Sequence, residues 1–152
     1  MKFFKILALL SLVTLGACSI AKKVEKLIVV ETEKEYFSIY RGGCYGNCPS
    51  YKVEIQRDGN FSYYGSSNVK IIGDKKGKLS NEQVENLFKL LAKYKWESYL
   101  EVYPVDNVDF PSFKIEYANG KTIKHIKANS NAPKELQELS LMVDALLKGL
   151  GY

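Results

Sequence analysis

The chain has 152 residues, 46% of them hydrophobic and 26% charged, with a formal charge of +5. That length suits one domain built around one hydrophobic core. Its basic residues are lysines apart from Arg41 and Arg57, whereas base-edge and bidentate phosphate reading favour arginine, so no nucleic-acid partner is expected.

Lys2 and Lys5 precede an apolar run from Ile6 that closes on Leu15-Gly16-Ala17-Cys18. A basic start, a short apolar core and small residues before a cut site make a secretory signal peptide over residues 1–17. Ile6 to Ala17 is 12 residues, too short for the roughly 20 that span a bilayer. A cysteine directly after Leu-Gly-Ala looks like a bacterial lipobox. Cys18 is then expected to carry a diacyl group on sulfur and, after cleavage, a palmitate-type chain on its amine. This covalent lipid is the one cofactor expected, and it makes the membrane a partner through the anchor. Residues 18–35 read as lipidated cysteine and tether, with Leu27–Val30 as a candidate short strand. Ser19 stands where an aspartate would favour inner-membrane retention, and Ser19–Lys26 lacks an acidic export run. The expected location is the cell envelope, at the periplasmic face of the outer membrane.

Residues 36–152 read as one α+β domain. Tyr36–Arg41 alternates apolar and polar side chains, the period of a half-buried strand. Gly42-Gly43 interrupts it, and Cys44–Pro49 forms a loop. From Ser50 to Arg57, Tyr51, Val53 and Ile55 share one face and Lys52, Glu54 and Gln56 the other. Asp58-Gly59-Asn60 predicts a hairpin turn into a returning strand at Phe61–Tyr64. Val69–Ile72 predicts a further strand, with Gly73–Gly77 as a lysine-glycine loop.

Ser80 and Gln83 make a capping-box pattern. The helix it opens is expected to end near Tyr94, with Val84, Leu87, Phe88 and Leu91 at helical spacing. Trp96, Tyr99 and Val102 are expected to fold back on the core. Ser112–Ala118 and Lys121–Ala128 read as strands joined at Asn119-Gly120, a type I′ hairpin signal. Pro133 suits the first turn of a last helix. Its Leu136, Leu139, Val143, Leu146 and Leu147 face inward, and Gly149 and Gly151 end it. Hairpin-linked strands predict an antiparallel sheet of about five to six strands with two helices packed on one face.

The chain has three cysteines. With Cys18 lipidated, Cys44 and Cys48 remain, and neighbouring cysteines in an oxidising envelope are expected to pair. Closing so small a ring is worth about 2 kcal/mol in chain entropy. Gly46 and Asn47 tolerate the positive φ that a tight ring can require. A redox dithiol is the first alternative, although no helix amino terminus is at hand to lower a thiol pKa. A soft-metal set is the second, using Cys44, Cys48 and the single histidine, His125. Cys-x-x-x-Cys-Pro is similar to the copper-binding loop of the Sco copper-chaperone family, but there a helix follows and here a strand does.

Asp106 and Asp109 share the loop 103–111, where paired carboxylates serve acid–base chemistry, calcium binding or simple Asx turns. No Gly-x-Ser-x-Gly, His-Glu-x-x-His or Walker pattern occurs, so no catalytic set is nominated. Tyr45 lies inside the cysteine ring and is hard to bury. With Arg41, Asn47 and Asp109 it forms a candidate binding loop for an envelope protein or glycan.

Arg41 to Tyr51, followed by Ile55 and Asp58-Gly59, resembles an uncharacterised domain family. Its members are common among envelope lipoproteins of Bacteroidota and carry a Cys-[Phe/Tyr]-Gly-x-Cys-Pro-x-Tyr signature. Asp109-Phe110-Pro111 and Ala132–Leu136 are similar to that family's second loop and last helix, so the likeness runs over about residues 36–147. The resemblance implies one domain in the envelope and supplies no reaction or catalytic residue. The reading that follows is a lipid-anchored, non-enzymatic binding or scaffolding module. Its alternative is an envelope thiol-redox or copper-handling protein using Cys44 and Cys48.

Overall fold

Side-chain alternation along the central strands selects the face that is buried. In the computed structural model, residues 34–104 and 111–152 are described, within the unit Glu33–Tyr152. The expected signal peptide, Cys18, the candidate strand at Leu27–Val30, Asp106 and Asp109 lie outside the described residues.

Strands β1 (Tyr36–Arg41), β2 (Ser50–Gln56), β3 (Asn60–Ser67) and β4 (Gly73–Lys78) come first. Helix α1 (Asn81–Leu91) and a 3-10 turn at Trp96–Ser98 follow, then β5 (Phe113–Ala118), β6 (Ile123–Ala128) and helix α2 (Lys134–Gly149). The six strands form one sheet in the order β4-β3-β2-β1-β5-β6, every neighbouring pair antiparallel. The α+β expectation holds.

Registered pairs share a face, so the core can be read across the sheet. One row carries Phe61, Ile55, Phe37 and Tyr117, and the next Tyr63, Val53, Ile39, Ile115 and Ile126. All are buried. Val84, Leu87, Phe88 and Leu91 of α1 and Leu136, Leu139, Val143 and Leu147 of α2 join the same cluster. The opposite face carries Lys52, Tyr40, Lys114 and Lys127, all exposed. Among the described residues no helix is long and apolar enough to cross a membrane.

The capping box forms as predicted: Gln83 N–H donates to Ser80 Oγ at 3.2 Å, and Ser80 N–H donates back to Gln83 Oε1 at 2.9 Å. At the β2–β3 turn, Asn60 N–H donates to Asp58 Oδ1 at 2.9 Å.

Four expectations are corrected. The fourth strand is Gly73–Lys78, not Val69–Ile72. It is an edge strand, where lysines discourage pairing with another chain, and a core-style apolar pattern is therefore the wrong signal for it. Helix α1 stops at Leu91 rather than near Tyr94, and the following turn lets Trp96 Nε1–H donate to Leu91 O at 2.8 Å. Val102 stays exposed. It bridges in parallel to Lys127, and Lys127 N–H donates to Glu101 O at 2.8 Å, so this segment covers the β6 edge instead of entering the core. The β5–β6 turn is not type I′, which needs positive φ at both central residues. Gly120 is at φ 82° and Asn119 is not at positive φ. Asn119 Oδ1 instead accepts from Lys121 N–H at 3.0 Å and Thr122 N–H at 2.9 Å.

Candidate functional site

The alternation that buries Phe37 and Ile39 also drives Arg41 toward the helix-covered face. Its side chain is 7% exposed. A buried guanidinium needs partners, and α2 supplies two. Arg41 donates from Nη1 to Ser140 Oγ at 3.2 Å and from Nη2 to Asp144 Oδ2 at 3.0 Å. Residues 140 and 144 sit four apart, on one face of the helix. Tyr51, directly across the sheet from Arg41, donates its hydroxyl to Asp144 Oδ1 at 2.5 Å. Burial first, then the charge and hydrogen bond of Asp144, push the Tyr51 hydroxyl far above the ordinary tyrosine range. It is a fixed neutral donor. Each Asp144 oxygen accepts a hydrogen bond, so Arg41 and Tyr51 together fix the orientation of the carboxylate.

Asp144 and Tyr51 line a cavity of about 510 Å³ together with Pro49, Tyr63, Lys148 and Tyr152. The Tyr51 and Tyr63 rings stack with centroids 5.9 Å apart, and the Tyr152 ring meets Tyr63 edge-on at 4.7 Å. The β3–β4 connection forms another side of the cavity through Asn68, Val69 and Lys70. It can lie this close because residue 65 is glycine: a Cβ there would meet the Ile71 carbonyl oxygen at 1.9 Å. Asn68, at φ 53°, donates from Nδ2 to the Cys48 carbonyl at 3.2 Å. The connection is thereby tied to the cysteine loop.

Cys44 and Cys48 form a disulfide with Cα atoms 5.6 Å apart. The ring follows β1, and Gly42 N–H donates to Ser112 O at 2.7 Å at its entrance. Neither Gly46 nor Asn47 is at positive φ, so the ring closes without drawing on the left-handed conformation these residues tolerate. Tyr45 is 88% exposed and Asn47 is exposed as well.

The candidate loop residues are therefore split. Tyr45 and Asn47 face outward, Arg41 turns inward to α2, and Asp109 lies outside the described residues. His125 is on the open face, with Nδ1 3.1 Å from Glu116 Oε2. In the sheet, Glu116 sits opposite Ser38, three positions before the strand end at Arg41. Among the described residues, no group of three or more His, Cys, Asp or Glu is placed to hold a metal ion.

Sequence reasoning missed Tyr51, Tyr63, Asp144 and Tyr152 as site residues. One signal was present: Asp144 directly follows Val143 of the inward stripe Leu136, Leu139, Val143, Leu147. The opposing signal is Arg41 in phase with Phe37 and Ile39.

The model of a domain of unknown function, DUF6438, matches residues 35–147. The chain belongs to the DUF6438 family. The matched span holds the disulfide, Arg41, Tyr51, Ser140 and Asp144, while Lys148 and Tyr152 of the cavity fall beyond it. No curated protein matches the chain.

Proposed function

We propose that this DUF6438 protein is a lipid-anchored binding module of the bacterial cell envelope, of the kind found in Bacteroidota. Acylated Cys18 holds it to the periplasmic face of the outer membrane. The disulfide-stapled loop presents Tyr45 to an envelope partner, and the tyrosine-lined cavity beside it receives one saccharide unit of an envelope glycan. The cavity carries this reading: three tyrosine rings give apolar faces with polar tips, and Asp144 and Lys148 add a few convergent polar groups, the usual make-up of a small-ligand site.

The test is calorimetric titration of the full chain in detergent micelles with short N-acetylglucosamine oligomers. Saturable binding that Tyr152→Ala weakens about tenfold, roughly 1.4 kcal/mol, supports the reading. Absence of binding, or binding indifferent to Tyr152, overturns the glycan assignment. For the anchor, Cys18→Ser is expected to lose both fatty-acid labelling and membrane partition.

One observation favours a second reading, in thiol-redox or copper handling. Gly46 N–H donates to Cys44 Sγ at 3.3 Å, a contact that would stabilise a thiolate once the pair is reduced. Ready reduction under mild thiol, followed by Cu(I) uptake, would favour it over the staple.

A further inference from the structure

The guanidinium of Arg41 is only partly satisfied. Nη1 and Nη2 donate to Ser140 and Asp144, but Nε, also buried, has no hydrogen-bond partner. Among the described residues one other buried side-chain donor shares this condition, Nδ2 of Asn129. Asn129 follows β6 directly and is 1% exposed, against 6% for Arg41. Its other amide atom is occupied: Oδ1 accepts from Asn131 N–H at 3.2 Å. Buried donors left unpaired are rare and costly, and here two of them belong to residues lining the same cleft.

That cleft, about 180 Å³, lies among the ends of β1 and β5, the β6–α2 loop and α2. It is separate from the tyrosine-lined cavity. Asp144 faces that cavity and Arg41 this cleft, so their ion pair forms part of the wall between the two. Pro111, Ser130, Gln137 and Leu141 are also on its lining, and among the described residues no carboxylate is. Gln137 is already committed, donating from Nε2 to Ser130 O and Ala132 O at 3.0 and 2.8 Å.

We infer that this cleft is a subsite for a carboxylate carried on a slim group, such as the terminal carboxylate of a short acyl-amino acid. Both orphaned groups are donors, so the complementary ligand atoms are acceptors. Two carboxylate oxygens can take one hydrogen bond from each, and the guanidinium makes its bond charge-assisted. A singly charged group fits better than phosphate, because Asp144 already offsets the Arg41 charge. The small volume, below the ~300–1,000 Å³ of ordinary ligand pockets, selects the end of a ligand rather than its body. Docking draws both donors onto the entering oxygens through small side-chain adjustments.

The test is residue-resolved NMR on the full, isotope-labelled chain in micelles. The signals followed are Arg41 Nε–H and the Asn129 side-chain amide. N-Acetylglycine is expected to shift both saturably. N-Acetylglycinamide, the same shape without the charge, is expected to bind about tenfold more weakly, as loss of a charge-assisted bond implies. Inorganic phosphate is expected to give no saturation over the same range. Asn129→Asp keeps the oxygen that accepts from Asn131 and replaces the donor with an acceptor, so the response should vanish while the rest of the spectrum persists. Equal response to the neutral amide, no saturation by N-acetylglycine, or an unchanged response in Asn129→Asp overturns the assignment. The comparison of the two probes needs no variant, so it stands even if the substitution unfolds the chain. Saccharide binding would instead move Tyr63 and Tyr152, so the two sites fail or succeed separately.

Discussion

A basic side chain, a tyrosine and a carboxylate meet twice on this sheet, once on each face. Under the helices, Arg41 and Tyr51 both bond the carboxylate of Asp144. On the open face, His125 and Tyr36 both bond the carboxylate of Glu116. The Arg41 and Asp144 side chains are 7% and 23% exposed, those of His125 and Glu116 64% and 39%. Water competes for the outer trio, and even a fully charged pair this exposed contributes only roughly 0–1 kcal/mol. In the inner trio, each member is the compensation for burying the others. Similar contacts therefore do different jobs: one fixes α2 against the sheet and shapes two cavities, the other lies exposed along an open-face groove of about 520 Å³.

Removing the inner carboxylate is the hardest test of this contrast. Asp144→Ala strands the Arg41 guanidinium and is expected to cost about 3–5 kcal/mol, read as a fall in the denaturant midpoint. Alkaline unfolding comes next. Burial, followed by Asp144, raises the Tyr51 hydroxyl; burial, followed by Glu35, pushes Tyr117 up to about 12. Groups raised in the folded state stabilise it fully below their unfolded pKa, near 10 for tyrosine. Stability should therefore hold up to about pH 10 and fall from there through 12 and above. Tyr51→Phe should flatten that decline. A smaller effect is expected at the ring: Cys44→Ser with Cys48→Ser should cost about 2 kcal/mol and leave the Arg41–Asp144 contact intact. A larger loss would mean that the ring supports the inner trio as well as the loop.

Much of the scaffold was legible in the chain. Period-two alternation located β1 and β2, Ser80 and Gln83 located the start of α1, and the leucine stripe located α2. These signals are local, set by a few neighbouring residues. The cavity was not legible, because Tyr51, Tyr63, Asp144 and Tyr152 come from distant segments and meet only through strand register. Arg41 shows the intermediate case. Its alternation phase places it inward with Phe37 and Ile39, but its nearness to Cys44 invites grouping it with the loop. Phase was the better guide, since one strand cannot turn a single residue to the other face without a bulge. β4 was missed because an edge strand of lysine and glycine lacks the apolar pattern that marks buried ones.

The most direct test is a pair of double-mutant cycles on unfolding free energy. One combines Arg41→Met with Asp144→Leu, the other His125→Ala with Glu116→Gln. The account predicts coupling of at least about 2 kcal/mol for the inner pair, with the double variant losing less than the sum of its singles because no stranded charge remains. The outer pair should couple by less than about 1 kcal/mol. Equal coupling on the two faces would contradict the claim that burial makes Arg41 and Asp144 the organising contact of the site.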